Sequence, residues 1–263
     1  MTNPTRPLAL VTGASSGIGV ELARELARDG HDLVLTARTV MPMENLAAEL
    51  AAWGAASVII PVDLSEPSGA AALASAIEAR GLTVEVLVNN AGLGAVGRFD
   101  QADPVRISEM VQVNIVALTE LTRLLLPGMV ARGRGLVMLV GSTAGFQPGP
   151  GMAVYFATKA YVLSLGEALA YELRRTGVGV TVLCPGATAT NFFTVAGANN
   201  TIMAGRFRRM MRAADVARLG CRGLAAGRRV VITGVMNKLL AFAGRFAPHR
   251  ISLPVTDLLM APE

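Results

Sequence analysis

A serine, a tyrosine and a lysine are spaced so that their side chains can meet at one reacting atom. Tyr155 and Lys159 are four residues apart, so on a helix they share one face. Ser142 precedes Tyr155 by 13 residues and follows a predicted strand. A hydroxyl, a phenol and an ammonium together can move a proton to or from an oxygen and stabilise charge that develops there. The spacing therefore predicts acid–base chemistry at a carbon–oxygen bond.

The lysine is informative because arginine fills nearly every other basic position of the chain. Arginine supplies 22 of the 24 basic residues, and the two lysines are Lys159 and Lys238. A phenol with a pKa of about 10 is a weak base at neutral pH, and a nearby ammonium lowers that pKa. We predict that Tyr155 is the acid or base, that Lys159 lowers its pKa, and that Ser142 hydrogen-bonds the substrate oxygen. Each residue taken alone is also typical of packing or of a turn.

A glycine-rich turn lies where the phosphates of a nucleotide could bind. Residues 12–19 read TGASSGIG, between a predicted strand and a predicted helix. Glycines allow a tight turn and a close backbone approach, and a helix N-terminus presents free N–H groups to an anion. The turn predicts a pyrophosphate site, or alternatively an ordinary connection between strand and helix. The candidate contacts are Gly13, Ser15, Ser16, Gly17, Ile18 and Gly19.

The elements that must position these residues alternate between β-branched runs and helical stretches rich in Ala and Leu. Strands are predicted at 8–12, 32–36, 57–61, 84–89, 136–141, 180–184 and 229–233. Helices are predicted at 17–29, 43–53, 66–80, 104–132, 155–176 and 214–227. Uninterrupted apolar strands are typical of a sheet that is covered on both faces. The repeated order predicts one parallel sheet with helices on both sides.

The motifs and their order resemble those of the short-chain dehydrogenase/reductase family, over roughly residues 8–190. The matching blocks are TGASSGIG, NNAG at 89–92, Asn114, Ser142, YFATK at 155–159, and PG at 185–186 with Thr190. The resemblance implies an α/β fold of the Rossmann type: a doubly wound, seven-stranded parallel sheet of order 3-2-1-4-5-6-7 in a single domain over 1–263. It implies an NAD(P)-dependent enzyme acting on CH–OH groups, with Asn114, Ser142, Tyr155 and Lys159 as the catalytic residues.

The same resemblance implies further roles around the cofactor. Lys159 would also hold the nicotinamide ribose hydroxyls, and Asn114 would anchor a water that relays protons to Lys159. Asn89 and Asn90 would stabilise the sheet edge beside the cofactor. Asp63, followed by Leu64, matches the acid that contacts adenine. The remaining implied cofactor contacts are Asn90, Ala91, Gly92, Tyr155, Pro185, Gly186, Thr188 and Thr190.

The end of the second predicted strand bears on the choice between NAD and NADP. An acid about 20 residues after the glycines would take the ribose 2′-hydroxyl and favour NAD. Asp32 nearly has that spacing, but it opens the strand, whereas the cofactor meets the other end, which reads Thr36-Ala37-Arg38. Arg38 can bind a 2′-phosphate, so NADP(H) is favoured over NAD(H). The alternative is that Arg38 is solvated and either cofactor is accepted.

The substrate side offers apolar side chains but no diagnostic motif. Residues 190–213 are expected to form a lid that carries Phe192, Phe193, Val195, Ile202, Met203, Phe207, Met210 and Met211, with Phe146 and Met152 opposite. This composition predicts an apolar pocket for a lipid-, steroid- or acyl-like carbonyl compound. Arg206, Arg208, Arg209 and Arg212 either meet an anionic carrier or form a solvated face. The chain resembles bacterial ketoacyl- or hydroxysteroid-reductase-like members, although LGAVG after NNAG departs from the ketoreductases of fatty-acid synthesis.

Composition and charge exclude several classes of protein. The net charge of +5 is uneven: residues 1–200 carry 13 basic and 16 acidic side chains, and residues 201–263 carry 11 and 3. An excess at one end, without interleaved aromatic residues, predicts no nucleic-acid binding. Two histidines and two separated cysteines predict no metal site and no disulfide framework. Apolar runs shorter than ten residues predict no transmembrane segment, and the N-terminus predicts no signal peptide, so we expect a cytoplasmic protein.

The basic tail at 235–263 is moderately amphipathic and leaves its partner open. Peripheral contact with a membrane, packing on its own domain and a subunit interface are the alternatives. We expect a homodimer or a homotetramer that acts on a small-molecule carbonyl or alcohol. A catalytically silent cofactor-sensing protein and a membrane-docking interaction protein are the competing functions, and the complete set of catalytic residues argues against the silent one.

Overall fold

Seven short segments with many β-branched residues form one parallel sheet. The computed structural model describes residues 6–197 and 210–260. Its strands are β1 (Leu8–Thr12), β2 (Asp32–Thr36), β3 (Ser57–Ile59), β4 (Val84–Asn89), β5 (Gly135–Val140), β6 (Val178–Cys184), β7 (Thr188–Ala189), β8 (Met211–Arg212) and β9 (Val230–Ile232). Strand β3 ends two residues before its predicted end at Pro61, because proline has no N–H to donate to a ladder.

The order of the main sheet is β3-β2-β1-β4-β5-β6-β9, and all of its neighbours are parallel. This confirms the predicted order, because the seventh predicted strand is β9. Strands β7 and β8 do not belong to this sheet. They are two residues long and pair only with each other, and the sequence analysis did not predict them. The direction of winding reverses between β1 and β4, where parallel sheets open a crevice at the carboxyl ends of their strands.

Helices cover both faces of the sheet. They are α1 (Gly17–Arg28), α2 (Val40–Ala51), α3 (Gly69–Glu78), α4 (Pro104–Val111), α5 (Leu118–Ala131), α6 (Ala153–Glu172), α7 (Phe192–Val195), α8 (Ala213–Ala225), α9 (Val235–Phe246) and α10 (His249–Met260). The predicted helix 104–132 is two α-helices joined by a π-helical segment, Gln112–Ala117. Apolar periodicity does not distinguish such a segment, since its buried residues Val113, Asn114 and Ala117 still recur at a helical spacing.

The core lies in two layers, one on each side of the sheet. On β1, Leu8 and Leu10 face one layer, while Ala9 and Val11 face the other. The first layer is completed by α3, α5 and α6, and the second by α1, α2 and α8. Because both faces are buried, the strands are apolar throughout rather than alternating.

The helical stretch 104–131 is unusual in its length and apolar composition. Among residues 6–197 and 210–260, only 104–131 is long and apolar enough to cross a membrane, with a mean hydropathy of 1.4 in its most apolar window. Its residues Leu118 and Leu121 are buried in the first core layer. A core helix passes the same test of length and composition, so the stretch is weak evidence for a membrane span.

Candidate active site

The glycine-rich turn after β1 is held in a conformation that other residues adopt only under strain. Gly13 and Gly17 have φ angles of +67° and +59°. A Cβ atom on Gly19 would lie 2.2 Å from the Gly13 carbonyl oxygen and 2.5 Å from Asn90 Nδ2. The turn therefore needs glycine at these positions for backbone reasons. The Ser16 side chain does not cap α1, so its hydroxyl is not committed to the helix end.

The turn after β4 is tied to the glycine turn by side-chain hydrogen bonds. Asn90 Nδ2 donates to the carbonyl oxygens of Thr12 (2.8 Å) and Gly13 (3.3 Å). Thr12 Oγ1 accepts from the backbone N–H groups of Asn90 and Ala91, each at 2.9 Å. Asn89 instead donates to Thr122 Oγ1 at 2.8 Å, beneath the sheet edge. These bonds fix the relative position of the two loops at the crevice.

A cavity of about 600 Å³ runs along the carboxyl edge of the sheet. The order of the strands places the turns after β3, β2 and β1 at one end of it, and those after β5 and β6 toward the other. Eighteen of the predicted site residues line the cavity: Gly13, Ser15, Ser16, Gly17, Ile18, Arg38, Asp63, Leu64, Asn90, Ala91, Gly92, Ser142, Tyr155, Lys159, Pro185, Gly186, Thr188 and Thr190. Two predicted residues, Gly19 and Asn114, lie behind the lining.

Ser142, Tyr155 and Lys159 line the same part of this cavity. Lys159 is 5% exposed, and its Nζ donates to the Val140 carbonyl oxygen at 2.9 Å. The same Nζ is 5.8 Å from the centre of the Tyr155 ring. The hydroxyl of Ser142 caps the following turn by accepting from Ala144 N at 3.1 Å. The structure thus brings together a hydroxyl, a phenol and an ammonium, as the spacing predicted.

Asn114 lies on the π-helical segment and supports the loop in front of Lys159. Its Oδ1 accepts from Leu93 N at 2.8 Å, and its Nδ2 donates to Leu93 O at 2.9 Å and to Thr158 Oγ1 at 3.0 Å. A Cβ atom on Gly92 would lie 3.4 Å from Asn114 Oδ1 and 3.5 Å from Lys159 Nζ. The side chain of Asn114 therefore positions this loop, and the amide is engaged on both of its polar atoms.

Burial dominates the ionisation of the tyrosine and the lysine. Burial raises the pKa of Tyr155 to about 12, and a hydrogen bond with Ser142 acts in the opposite direction. Burial lowers the pKa of Lys159 to about 8, while the neighbouring Cys184 acts in the opposite direction. The expectation of a lowered pKa for Tyr155 is therefore not met, because desolvation of the phenol outweighs the influence of the groups around it.

The cavity has a glycine-loop end, which we define by residues 13–18, 36–39, 62–64 and 90–92. This end contains one exposed cation. Arg38 is exposed at the carboxyl end of β2. Burial opposes ionisation of Asp63, but hydrogen bonds from Ser65 and the charge of Arg38 hold the pKa of Asp63 below its usual value. Asp32 is fully buried at the other end of β2, where it pairs with Arg6 at 3.2 Å. Its exclusion from the cofactor site on grounds of position agrees with the structure.

The apolar end of the cavity is defined by Gln147, Met152, Phe192, Val195 and the cavity-lining residues of α9 and α10. The two C-terminal helices contribute Asn237, Leu240, Ala241, Ala243, Gly244, Ala247, Ile251, Ser252, Val255 and Thr256. Gln147 Nε2 donates to Thr256 Oγ1 at 3.2 Å, and a Cβ on Gly244 would meet Gln147 Oε1. Sequence reasoning missed this wall, because only the small residues on one side of α9 could have indicated it.

Phe192 closes the apolar end over the tyrosine. The centres of the Phe192 and Tyr155 rings are 5.2 Å apart. The Phe192 ring lies against Gly94, where a Cβ atom would be 2.5 Å from its Cζ. A larger residue at position 94 would therefore displace this ring.

The predicted lid at 190–213 lies partly outside the described residues. Phe192, Val195 and Met152 line the cavity as expected. Phe146 does not line it and packs instead against the first core layer, while Met210 packs on Ala196 and Met211 against the second layer. Arg212 is exposed and pairs with Asp215 at 2.9 Å. Ile202, Met203, Phe207, Arg206, Arg208 and Arg209 lie outside the described residues.

The fold and this cavity define a dinucleotide-binding oxidoreductase. The family model described as short chain dehydrogenase matches residues 7–201. The chain belongs to this short-chain dehydrogenase/reductase family and is an NAD(P)-dependent oxidoreductase.

Three relatives illustrate the similarity. Ketoacyl reductase HetN of Nostoc sp. is 35% identical over 195 residues, which are 74% of this chain and 68% of that protein. A short-chain dehydrogenase from Sphingobium yanoikuyae, solved with NADPH, is 34% identical, with a TM-score of 0.81 over 90% of this chain and 92% of that one. A family member from Burkholderia phymatum, solved with NAD, is 27% identical, with a TM-score of 0.81 over 92% and 94%.

Proposed function

We propose that this chain interconverts a ketone or aldehyde and the corresponding alcohol, using NADP(H) and an apolar substrate. The observation that carries the proposal is that Ser142, Tyr155 and Lys159 line one cavity together with a glycine turn and an apolar wall. The glycine turn offers a place for the cofactor, the trio offers acid–base groups, and the wall offers a place for the substrate.

The glycine-loop end fits an extended dinucleotide. Its turns lack side chains where a ligand must approach the backbone, and its helix N-terminus presents N–H groups and a positive dipole end to a pyrophosphate. Arg38 and Asp63 would hold the adenosine part, and Thr188 and Thr190 would hold the part nearer to Tyr155. When bound, the nicotinamide supplies hydride to a carbonyl carbon or takes it from an alcohol carbon.

Tyr155 moves the proton that must accompany the hydride. In reduction, its phenol donates a proton to the substrate oxygen, and Ser142 donates a hydrogen bond to the same oxygen. In oxidation, the phenolate accepts the alcohol proton. Because burial raises the pKa of Tyr155 to about 12, the phenol is protonated at neutral pH and is prepared for reduction.

Lys159 holds charge beside the phenol and binds the cofactor ribose. An ammonium has three N–H donors, and the Val140 carbonyl takes one of them. The remaining two are available to a ribose hydroxyl and to a water, which Asn114 would anchor through the second lone pair of its Oδ1. With a pKa lowered to about 8, Lys159 is still charged at neutral pH.

Arg38 supports the choice of NADP(H). It lies at the carboxyl end of β2, and residues 36–39 contain no carboxylate that would repel a 2′-phosphate. A guanidinium binds phosphate through charge-assisted hydrogen bonds. The relative solved with NADPH is consistent with this choice, whereas the one solved with NAD is a reason to measure it directly.

The apolar end supports a lipid-, steroid- or acyl-like carbonyl substrate. Its walls are Met152, Phe192 and the cavity-lining residues of α9 and α10, and the polar atoms of Gln147 and Thr256 already bond each other. A ketoacyl substrate fits this setting, as the name of the relative HetN also indicates for that protein.

The proposal is tested by following oxidation of NADPH and NADH with ketones of increasing apolar size. We expect turnover with NADPH in preference to NADH, and a kcat/KM that rises with the apolar size of the ketone. Folded protein that turns over none of these ketones with either cofactor would overturn the proposed reaction. Turnover limited to small polar ketones would overturn the substrate class alone.

A further inference from the structure

Helices α9 and α10 present their apolar side chains outward, which reverses the usual pattern of a surface helix. On α9, Val235, Leu239, Phe242 and Phe246 recur at spacings of four, three and four, so they form one stripe. Each of them is at least 60% exposed. The side of α9 that faces the protein carries the small residues Ala241 and Gly244.

The same reversal is seen on α10. Over 249–258 its buried side chains are the hydroxyls Ser252 and Thr256, whereas Leu258 is 60% exposed, and Ile251 and Val255 are more than half exposed at the mouth of the cavity. Thr256 Oγ1 donates to the Ser252 carbonyl at 2.8 Å and accepts from Gln147. Exposed apolar side chains grouped in this way mark a site that a partner covers.

The charges beside this surface are positive. Lys238 and Arg245 are seven residues apart on α9, so they lie along one flank of the apolar stripe, and Arg250 is exposed near the start of α10. Within the described part of the chain, none of these three cations forms an ion pair. Asp257 is the one acidic residue among 235–260. The partner must therefore combine an apolar phase with negative charge.

We propose that the outward face of α9 and α10 docks on an anionic phospholipid bilayer. The apolar stripe would enter the acyl boundary, and Lys238, Arg245 and Arg250 would contact anionic headgroups. An isologous contact between two copies of the chain would instead bring three cations of each copy onto one interface, where 235–260 supplies Asp257 as its single acidic residue to pair with them.

The cavity lies where docking on a bilayer would help an apolar substrate to reach it. Leu240, Ala243, Ile251 and Val255 belong to the same two helices and line the apolar end of the cavity. A bilayer that covers these helices lies next to that end, so an apolar carbonyl compound dissolved in the bilayer can reach the cavity without crossing water. This use of the surface rests on the proposed function; the docking itself does not.

The docking is tested by sedimentation of the full-length protein with vesicles. One set contains phosphatidylcholine alone, and the other contains phosphatidylcholine mixed with phosphatidylglycerol. We expect the protein to sediment with the mixed vesicles and only weakly with the neutral ones, and added salt to reduce this binding. Absence of sedimentation with mixed vesicles would overturn the proposal.

Variants separate the stripe from the catalytic machinery. Leu239, Phe242 and Phe246 do not line the cavity. The triple change Leu239→Ser, Phe242→Ser and Phe246→Ser should lower the partition coefficient at least about tenfold, because the apolar area that enters the boundary is lost. Lys238→Gln with Arg245→Gln should lower binding to mixed vesicles and leave binding to neutral ones unchanged.

A matched control is Phe99→Ser, since Phe99 is 66% exposed and Phe242 is 68% exposed, on a different element. This control should bind vesicles like the unaltered protein. Circular dichroism and turnover of a small water-soluble ketone check that each variant is folded. Equal vesicle binding by the triple variant and the control would contradict the proposal.

Light scattering measures the oligomeric state and so tests whether a second copy of the chain covers this face instead of a bilayer. An oligomer that the triple variant dissociates, together with no sedimentation of the unaltered protein, would assign the face to a second copy and overturn the lipid assignment. Failure of the proposed reaction is seen separately, as absence of ketone turnover without vesicles. If the protein is inactive on ketones but still binds mixed vesicles through the stripe, the docking proposal stands. Only the proposed access of substrate from the bilayer is then overturned.

Discussion

The two ends of the cavity are built in opposite ways. At the glycine-loop end, backbone atoms are in contact: Gly19 lies against the Gly13 carbonyl, and Asn90 ties the two loops together. At the apolar end, side chains make the contacts, with Phe192 against Gly94 and α9 against Gln147. A backbone contact cannot move without moving a strand, whereas a ring can rotate. We infer that the first end tolerates one ligand shape and that the second can adapt its shape to different substrates.

Tyr155 stands where the two ends meet, and replacing it should have the largest effect. Tyr155→Phe keeps the ring against Phe192 but removes the transferable proton. We expect turnover to fall by about 10² or more, with unchanged NADPH affinity and melting temperature. Tyr161→Phe is the control, because the Tyr161 hydroxyl only bonds Thr119 at 2.9 Å. Near-normal turnover in Tyr155→Phe would contradict the proposed role.

Lys159 should have the next largest effect, visible in the pH dependence. Lys159 is charged below its pKa of about 8, so we expect reduction by the unaltered enzyme to decline as pH rises through about 8. Oxidation needs the phenolate, so its rate should rise with pH toward about 12. Lys159→Met should remove the decline near pH 8 and weaken NADP affinity. It should also lower the rate of oxidation at a given pH, because loss of the ammonium disfavours the phenolate further.

Lys159→Arg should also be impaired. The site leaves little room for a guanidinium, since the Lys159 side chain is 5% exposed and its Nζ is bonded to Val140 O at 2.9 Å. Superimposable pH–rate profiles for the unaltered enzyme and both variants, with equal NADP affinity, would show that Lys159 has neither role.

Gly19→Ala tests the glycine-loop end. The added methyl would lie 2.2 Å from a backbone oxygen, so the loop or α1 must shift. We expect cofactor affinity to fall at least about tenfold, since close approach of the loop to the pyrophosphate is lost. Gly128→Ala is a matched control within a helix, because its methyl meets only the flexible end of Arg132. Equal NADPH titrations for the two variants would contradict the contrast between the ends.

Arg38→Asp tests which dinucleotide this end accepts. A charge-assisted hydrogen bond to a phosphate contributes roughly 1.5–3 kcal/mol, or about ten- to a hundredfold in affinity. We expect the substitution to remove the preference for NADPH over NADH or to reverse it. Tighter binding of NADH than of NADPH by the unaltered protein would exclude the assigned role of Arg38.

Gly94→Ala should have the smallest effect, although its added methyl would approach a neighbouring atom almost as closely as that of Gly19→Ala. The added methyl would lie 2.5 Å from the Phe192 ring, and this ring can rotate away. We expect a few-fold change in KM that depends on the size of the ketone, with kcat and NADPH affinity unchanged. A loss of NADPH affinity in this variant would show that the two ends are not independent.

The reaction class and the sheet could be predicted because their determinants are local. Gly13 and Gly17 need positive φ angles, Tyr155 and Lys159 need the four-residue spacing of a helix, and each strand is a short apolar run. Each of these requirements depends on a few residues that are close together in the sequence. The strand order was predicted from the family that those residues indicate. The three strands next to the glycine turn accordingly begin where they were predicted.

What remained unpredictable depends on contacts between distant parts of the chain. Residues 235–263 were characterised only as a basic amphipathic tail, because the sequence does not tell which face of a helix is turned inward. Here Gly244 meets Gln147, and the apolar stripe is left outside. The direction of the pKa shift of Tyr155 was likewise missed, since desolvation by Phe192 and its neighbours is a property of the packed structure.

The sequence by itself thus determined the chemistry that this protein carries, and the tertiary structure decided how that chemistry is poised and enclosed. Spacing along one helix is enough to bring a phenol and an ammonium to one face. Their protonation depends on how much water the surrounding chain excludes, and that is the sum of contacts from elements far apart in sequence. The same holds for the apolar end, whose wall is formed by α9 and α10, which begin 80 residues or more after Tyr155.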